Sequence, residues 1–396
     1  MWLVRDVVPI GFPDRPDSAE RIDLLLRDGR LAAVGPGLDR PDGAAVVEGN
    51  GAFVSPGWTD LHAHVWHGGT DISLRPAACG LARGVTTIVD AGSAGEANFH
   101  GFREYVMEPA PERILAFLNV GSIGLVACNR VSELSDHRSV DIDRIVATVE
   151  ANRDRIVGLK VRASGVILGS WGITPVKLAK KVARILKLPL MAHVGEPPPL
   201  YDEVLAVLGP GDIVTHCFNG KAGSSLLEDE DLFALVEGCA ARGIHLDVGH
   251  GGASFSMKVA AAAIGRGVFP DTISTDLHLR SIERPVWDLA TTMSKLLAAG
   301  MPFARVVAAV TAGPAAILRR SLAGRLQPGA EADFTVFDRV GEALPVVDSN
   351  GDTAVLPEVI EPRWAVLGPH VVAASRHVPR VRPCPHCGAP RPSAPA

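Results

Sequence analysis

Two histidines near the start of the chain have the spacing of metal ligands. His62 and His64 are separated by one residue in a stretch that we predict to be a β-strand, with Asp60 two residues earlier. Residues two apart share one face of a strand, so both imidazoles point to the same side, with Asp60 behind them. Two imidazoles placed in this way can bind one cation. The pair is weak evidence by itself, because histidines in strands are commonly satisfied by ordinary hydrogen bonds.

Further polar residues fall at the ends of later predicted strands. They are Asp90, Lys160, His193, His216 and Asp276. In a parallel barrel the carboxyl ends of the strands meet at one face, and active sites assemble there. Residues without a shared role would be scattered along their strands instead. The set therefore predicts a metal centre, although a salt bridge at a strand end is the alternative for Lys160.

The elements that position these residues alternate between short apolar runs and longer helix-compatible stretches. The predicted strands cover 57–62, 85–90, 114–120, 157–161, 189–193, 212–216, 244–248 and 272–276. The plainest predicted helices cover 177–188, 225–242 and 256–265, where apolar residues recur every three or four positions. This rhythm is typical of an α/β fold. We predict a (β/α)8 barrel of the TIM type over residues 55–322.

At both ends of the chain the sequence pattern predicts short strands and turns. Apolar runs cover 21–26, 31–34, 332–338 and 364–367. The dipeptide Asp28-Gly29 lies between the first two runs and is a strong hairpin signal. We therefore predict a small β-sandwich module that is formed by residues 1–54 together with residues 323–380.

The last segment, residues 381–396, differs in composition from the rest. It is rich in proline, alanine and serine, and this composition favours a disordered tail. Cys384, His386 and Cys387 lie in it, but their spacing along the sequence is too short for a usual four-ligand zinc site, and no second pair of ligand residues lies nearby.

Composition points to a small-molecule substrate. The chain has 396 residues and a formal net charge of −5, so no basic face for nucleic acid or an anionic membrane is evident. No window approaches 18 uninterrupted apolar residues, and the first residues lack the pattern of a secretory signal. We expect a cytoplasmic protein. Four cysteines in apolar contexts are expected to be reduced, buried thiols: Cys79, Cys128, Cys217 and Cys239.

Around the histidine pair the chain resembles a known enzyme family. The segment 57–64, Gly-Trp-Thr-Asp-Leu-His-Ala-His, is similar to the signature of the amidohydrolase superfamily. The segments 311–315 and 329–333 resemble flanking elements of that superfamily. Within it, Asp-Ala-Gly-Ser-Ala-Gly at 90–95 and Gly-Leu-Lys-Val-Arg-Ala-Ser at 158–164 are most similar to the dihydroorotase-like amidohydrolases and deacetylases.

The resemblance implies a hydrolase with two divalent metal ions. By position, the implied ligands are His62, His64 and Asp276 for the more buried ion, and His193 and His216 for the more exposed ion. Lys160 would bridge the two ions as a carbamate, because a neutral amine can add carbon dioxide to form an anionic bridge. Zinc is the first candidate for both ions, with manganese or iron as alternatives.

The implied reaction needs no serine or cysteine nucleophile. Two nearby cations lower the pKa of a bridging water toward 7, which supplies hydroxide at neutral pH. Asp276 would be the catalytic residue that takes the proton from the attacking water and passes it to the leaving group. Cleavage of an ester or an amide would follow.

Three residues are candidates for substrate binding. Arg162 lies two residues after Lys160 and could hold a carboxylate in a two-pronged contact, with a structural ion pair as the alternative. His278 lies two residues after Asp276 and either binds substrate or supports a metal ligand. His250 lies in a glycine-rich stretch that permits close approach of a ligand, although such a stretch can simply turn tightly.

The deacetylase likeness points to removal of acetyl from a small carboxylic acid, such as an acetylated α-hydroxy acid or an N-acyl amino acid. The alternative is a cyclic amide hydrolase of the dihydroorotase or hydantoinase kind. The dihydroorotase family has an arginine two residues after its histidine pair, but this chain has Trp66 there. A non-catalytic scaffold is a third hypothesis, which the complete ligand set disfavours. The resemblance also implies a homo-oligomer.

Overall fold

The computed structural model describes residues 1–15, 17–128, 130–319, 324–383 and 390–392. The strands are β1 Trp2–Pro9, β2 Ile22–Arg27, β3 Arg30–Gly35, β4 Ala45–Glu48, β5 Phe53–Pro56, β6 Trp58–Ala63, β7 Val85–Ala91, β8 Arg113–Asn119, β9 Ile156–Ala163, β10 Leu190–Val194, β11 Ile213–Thr215, β12 His245–Asp247, β13 Asp333–Val347, β14 Thr353–Leu367, β15 His370–Ala373, β16 Val381–Pro383 and β17 Pro390–Pro392. The α-helices are α1 Phe99–Phe102, α2 Ile142–Ala151, α3 Gly165–Leu168, α4 Thr174–Leu186, α5 Tyr201–Val207, α6 Glu230–Glu237, α7 Met257–Gly265, α8 Leu289–Ala298, α9 Phe303–Ala308 and α10 Ala312–Leu318. Short 3-10 helices cover Pro76–Ala78, Leu81–Arg83, His137–Ser139 and Gly169–Trp171, and a π-helical turn covers Arg103–Met107. The fold is mixed α/β.

Seven parallel strands form the central sheet, in which each strand from β6 to β12 pairs with the next along the chain. The predicted eighth strand, 272–276, is not a regular strand. It makes isolated parallel bridges instead, Asp247 with Thr272 on one side and Ala63 with Leu277 on the other. This segment therefore links the two edges of the sheet, at the place where the eighth strand of a barrel would lie.

The backbone at Asp276 prevents an extended strand from continuing to the end of this segment. Asp276 has a φ of +48°, in the left-handed region, so an extended strand cannot continue through it. Its backbone N–H still donates to the His62 carbonyl at 2.6 Å, and the His64 N–H donates to the Leu277 carbonyl at 3.0 Å. The segment is thus fastened to β6 on either side of the histidine pair.

Both ends of the chain build a second sheet. Its strand order is β15-β14-β13-β5-β1-β2-β3, with β4 beside β1. The predicted Asp28-Gly29 hairpin is confirmed: the two residues join β2 to β3 and both have a positive φ, as a two-residue type I′ turn requires. Val4, Leu24 and Phe334 belong to an apolar core of this sheet. A two-layer sandwich remains a prediction, as do the domain boundaries.

The hairpin of β13 and β14 extends from this module to the central sheet. At its turn the Ser349 N–H donates to the Phe255 carbonyl at 3.0 Å. The Met257 N–H donates to Asp348 Oδ2 at 3.0 Å, at the start of α7. The C-terminal part of the chain therefore contacts the segment that follows β12, on the side where the candidate ligands lie.

Three helices match the predicted helices, with shifted ends. In α4 the buried residues recur at three- and four-residue spacing, the pattern from which it was predicted: Val176, Ala179, Val182, Ala183 and Leu186. The predicted helix 225–242 is reduced to α6, because the Asp229 side chain accepts from the N–H groups of Asp231 and Leu232 and so caps a later start. The third, α7, covers most of the predicted 256–265.

The structure bears on the expected absence of a membrane span and on the state of the cysteines. In the described parts of the chain, no helix is both long enough and apolar enough to cross a bilayer. Among the described residues four cysteines are buried and form no disulfide, as predicted: Cys79, Cys128, Cys217 and Cys239. The tail residues Cys384, His386 and Cys387 lie outside the described residues.

Candidate metal centre

One cavity of about 770 Å³ opens at the carboxyl ends of the central strands. The predicted ligands that line it are His62, His64, Lys160, His193 and Asp276. His216 lies directly beside them, with its ring centroid 4.3 Å from that of His193. The structure therefore brings together all six residues that the sequence singled out as ligands. They come from β6, β9, β10, the end of β11 and the segment that links β12 to β6.

His62, His64 and Asp276 form the inner part of this group. His64 Nε2 is 3.0 Å from Asp276 Oδ1, and His62 Nε2 is 3.4 Å from the same oxygen. One donor atom from each of His62, His216 and Asp276 lies within 4.8 Å of the others. Donors that each lie about 2.0–2.2 Å from one shared cation have separations of this size. His62, His216 and Asp276 are therefore close enough to share a divalent metal ion, and His64 lies beside them against Asp276.

Lys160 and His193 extend the group on either side. Lys160 Nζ is 3.0 Å from His62 Nε2, and it is buried. His193 Nδ1 is 2.9 Å from His216 Nε2, so these two ring nitrogens face the same point. His216 adjoins the inner group and also contacts His193, so one ligand set runs continuously from His64 to His193.

Hydrogen bonds to Nδ1 fix the tautomers of His62 and His216. His216 Nδ1 is 2.5 Å from the Gly249 carbonyl, which can only accept, so Nδ1 carries the hydrogen. Thr215 Oγ1 donates to Asp247 Oδ2 at 2.7 Å and must therefore accept from His62 Nδ1, at 2.9 Å. In both rings Nε2 then has a lone pair that faces the group, as a metal ligand requires.

The electrostatics of the site also suit a cation. Burial lowers the pKa of His62 well below its ordinary value and that of His216 to about 3, so both imidazoles are neutral. Burial lowers the pKa of Lys160 to about 8, so its neutral amine is accessible near neutral pH. Burial alone would raise the pKa of Asp276, but the electrostatic interaction with the His62 ring and the hydrogen bond with His64 outweigh burial and lower that pKa. Neutral imidazoles with an ionised carboxylate are donors that divalent metals bind.

Two acids, Asp60 in β6 and Asp90 in β7, fix the backbone around the site and are not among the residues that line the cavity. Asp60 Oδ1 accepts from the Thr275 N–H at 3.0 Å, and Oδ2 accepts from its hydroxyl at 2.6 Å. Asp60 thus joins β6 to the segment that ends at Asp276, and burial raises its pKa to about 7. Asp90 Oδ1 accepts from the Ser93 N–H at 2.7 Å, and Ser93 Oγ lies 2.9 Å from His64 Nδ1.

Two of the three predicted substrate residues line the cavity. Arg162 does so with most of its donors already engaged, because Nε and Nη2 donate to the two oxygens of Glu133 at 2.7 and 2.6 Å. The structural ion pair, which was the alternative role predicted for Arg162, is therefore present. His278 also lines the cavity, with its ring centroid 6.4 Å from that of His64 and its Nδ1 accepting from the Arg280 N–H.

The structure does not bring the third residue, His250, to the cavity. Its ring is fully buried and stacks on Phe255, with ring centroids 4.5 Å apart. His250 Nε2 is 2.8 Å from Lys295 Nζ, and Nδ1 is 3.0 Å from the Gly251 carbonyl. Both ring nitrogens are thus engaged within the protein, which corrects the prediction that this histidine contacts substrate.

Several residues that support the site escaped the sequence analysis. Thr215 and Asp247 orient His62, and Glu133 pairs with Arg162. Asp247 had a usable signal, because a carboxylate inside an apolar predicted strand must find buried partners. Lys295 had none, since nothing in its local sequence distinguishes it from a surface lysine on a helix.

Comparison with known proteins agrees with this geometry. A family model described as the amidohydrolase family matches residues 53–367. The chain belongs to the amidohydrolase family. It is therefore a metal-dependent hydrolase, as the ligand set predicts.

The amidohydrolase has close relatives over almost its whole length. It is 62% identical over 380 residues to a protein of Agrobacterium fabrum named as a deacetylase, covering 96% of this chain and 93% of the relative. It is 61% identical over 380 residues to a Brucella anthropi protein with the same name, covering 96% and 94% of the two chains. A solved structure described as a dihydroorotase is 62% identical, with a TM-score of 0.93, and the match covers 96% of this chain and 99% of that one.

The position that distinguishes this amidohydrolase from the dihydroorotase pattern is buried. Trp66 is 9% exposed, and its ring lies 5.9 Å from that of Phe102. It packs tightly over Gly69, where a Cβ would fall 1.9 Å from the indole. Trp66 is absent from the described cavity lining.

Proposed function

We propose that this amidohydrolase is a deacetylase that removes acetyl from an ester or amide of a small carboxylic acid, such as an acetylated α-hydroxy acid or an N-acyl amino acid. The observation that carries the proposal is the convergence of His62, His64, His193 and His216 with Asp276 at the base of one cavity. The name shared by the Agrobacterium and Brucella relatives supports the deacetylase assignment.

Two divalent metal ions, with zinc as the first candidate, would be held by this ligand set. His62, His64 and Asp276 would hold the inner ion, and His193 and His216 the outer one. The lone pairs that the fixed tautomers present toward the group support this assignment. When bound, the ions supply a hydroxide nucleophile near neutral pH and polarise the scissile carbonyl.

Lys160 would bridge the two ions as a carbamate. A neutral amine is needed to add carbon dioxide, and the pKa of Lys160, lowered by burial to about 8, makes that form accessible. Its Nζ lies 3.0 Å from His62 Nε2, within reach of the inner ligands. An unmodified ammonium at this position would repel the ions instead.

Asp276 is the catalytic residue in this proposal. Its carboxylate lies at the base of the cavity and is held ionised, because the imidazoles of His62 and His64 outweigh the effect of burial on its pKa. An ionised carboxylate can accept a proton as the carbonyl is attacked and can return it to the leaving oxygen or nitrogen. Without that return the leaving group would depart as a strong base.

The cavity wall supports an acidic substrate. Arg130, Lys221 and Arg280 line it together with Arg162. Lys221 Nζ donates to Glu196 at 2.7 Å, and Nη2 of Arg130 and of Arg280 lies 3.1 and 3.4 Å from Asp71 Oδ2. Each of the three cations keeps further N–H groups that could donate to a substrate carboxylate. Arg162 and His278 remain our candidates for contacts to that carboxylate. Arg162 would offer it the second N–H of Nη1, whose other N–H donates to Cys128 Sγ at 3.6 Å.

Hydrolysis of a cyclic amide is the second candidate, favoured by the solved structure described as a dihydroorotase. The buried Trp66, where that family has arginine, disfavours it. The third hypothesis, a non-catalytic scaffold, is disfavoured because the amidohydrolase family model covers residues 53–367 and every candidate ligand is present. A homo-oligomer remains a proposal.

A reconstitution experiment tests the proposal. Metal-free protein is reloaded with zinc, manganese or iron, with and without bicarbonate, and assayed on N-acetyl amino acids, acetylated α-hydroxy acids, dihydroorotate and hydantoins. We expect two ions per chain, faster reactivation with bicarbonate, and acetate release from the acetylated acids. Activity on dihydroorotate alone would favour the second candidate. Full metal loading without hydrolysis of any compound would favour the scaffold.

A further inference from the structure

Lys295, in α8, is completely buried and has an unusual set of partners. Its Nζ donates to His250 Nε2 at 2.8 Å, to the Pro285 carbonyl at 2.7 Å and to the Val347 carbonyl at 2.9 Å. None of the three acceptors is a carboxylate, and burial lowers the pKa of the amine to about 7. Burying an amine in this way is costly unless every donor is used. The three acceptors belong to three separate segments, which Lys295 joins.

The first of these segments is the one that follows β12. Because His250 Nε2 accepts from Lys295, the hydrogen of the neutral ring is on Nδ1, which donates to the Gly251 carbonyl at 3.0 Å. The His250 and Gly251 N–H groups donate to the carbonyls of Ser274 and Thr275 at 3.1 and 2.9 Å. Lys295 therefore fixes a segment that is itself fastened to the residues just before Asp276.

Gly251 is the point of contact with the catalytic carboxylate. It has a φ of +58°, and a Cβ at this position would fall 2.5 Å from Asp276 Oδ2. The Gly251 backbone is thus a wall behind the carboxylate and limits its rotation. Ser349 Oγ, at the turn of the β13–β14 hairpin, donates to the Gly251 carbonyl at 2.9 Å. The C-terminal hairpin therefore supports this wall at Ser349 and holds Lys295 at Val347.

We propose that Lys295 is a positioning residue for Asp276: through His250 it holds Gly251 against the Asp276 carboxylate, and it makes the C-terminal hairpin part of the catalytic support. The effect on turnover rests on the proposed function. The ordering of residues 249–256 does not, and it can be measured without a substrate.

The test compares Lys295→Met with Ser294→Ala. Ser294 is the adjacent buried residue of α8, and its Oγ accepts from the Ile360 N–H of β14 at 2.9 Å, so its replacement disturbs the same helix and hairpin without touching residues 249–256. In Lys295→Met we expect amide hydrogen exchange in 249–256 to accelerate by about tenfold or more. We expect kcat to fall on the order of 10–100-fold, the usual cost of removing a partner that orients an active-site group, with a smaller change in KM. Ser294→Ala should show neither local effect.

Ser349→Ala is the second variant, for use if Lys295→Met does not fold. It removes the hydroxyl contacts to the carbonyls of Gly251 and His250, at 2.9 and 3.4 Å, and leaves Lys295 in place. We expect the same effects in the same segment with smaller size. Unchanged exchange in 249–256 would overturn the proposal. So would faster exchange with unchanged kcat, or a kcat loss of equal size in Ser294→Ala. If the wild type hydrolyses no substrate, the proposed function fails, and exchange alone decides whether Lys295 orders this segment.

Discussion

Arg162 and Glu133 form a buried two-pronged ion pair, with Nε and Nη2 of the arginine 2.7 and 2.6 Å from the two carboxylate oxygens. The pair connects β9, which also contains Lys160, to the long segment after β8. That segment contributes Cys128, Arg130 and Ser132 to the cavity wall. Arg162 Nη1 also donates to Cys128 Sγ at 3.6 Å, so Arg162 holds this wall in place at two points.

Replacement of Glu133 by glutamine should destabilise the protein. The Glu133 side chain is 1% exposed, so the change leaves the Arg162 guanidinium buried without a counter-charge, and we expect a loss of about 3 kcal/mol in the free energy of unfolding. Urea denaturation measures this loss. The control is Glu358→Gln, which breaks a two-pronged pair with Arg339 whose side chains are about one-third exposed, and which should cost less than about 1 kcal/mol. Equal losses in the two variants would contradict the argument.

Asp276→Asn should remove turnover while much of the metal stays bound. The amide cannot accept a proton, so we expect kcat to fall on the order of 10²–10⁴-fold. Its oxygen remains close to His62 and His64, whose imidazoles would continue to hold the inner ion. Steady-state kinetics and elemental analysis of the same sample measure both quantities. Retained turnover with full metal occupancy would show that Asp276 is not the proton carrier.

Thr215→Val should weaken metal binding without a change in any ligand. The variant removes the hydroxyl that connects His62 Nδ1 to Asp247, so the imidazole loses the partner that fixes its tautomer. A loss of 10–100-fold in metal affinity is typical of such changes. Competition with a chelator measures it. Thr291→Val is the matched control, because the buried Thr291 hydroxyl has no hydrogen-bond partner among the described residues. The metal affinity of this control variant should match that of the wild type.

Glu196 should give the protein a pH-dependent stability that Glu196→Gln lacks. Burial alone would raise its pKa, but hydrogen bonds from Lys221 and Ser164 outweigh this and lower the pKa to about 2. The pKa is depressed on folding, so the stabilisation is complete above the unfolded value near 4.3 and is lost as the pH falls toward 2. Urea midpoints of the two proteins should therefore differ at pH 6 and converge on acidification. A constant difference across that range would argue against the ion pair.

Much of the fold could be read from periodicity. Seven of the eight predicted strands are present, because buried parallel strands are continuous apolar runs that local sequence displays. The segment before Asp276 could not be predicted as irregular, since its left-handed backbone at Asp276 follows from pairing with β6 and not from its own residues. Similarly, the apolar pattern of 225–242 correctly predicted a helix, but the Asp229 cap sets the start of α6 at Glu230.

The sequence by itself determined which residues are candidate ligands, because ligand chemistry depends on residue type, and the carboxyl ends of parallel strands must meet at one face. It placed His62, His64, Lys160, His193 and Asp276 at one site, where the structure has them. Only the tertiary structure decided what the neighbours do. The partner of His250 is Lys295, and the partner of Arg162 is Glu133. Each partner is distant in sequence and lies on another element. A side chain that could reach substrate therefore becomes structural when a buried donor or carboxylate reaches it first.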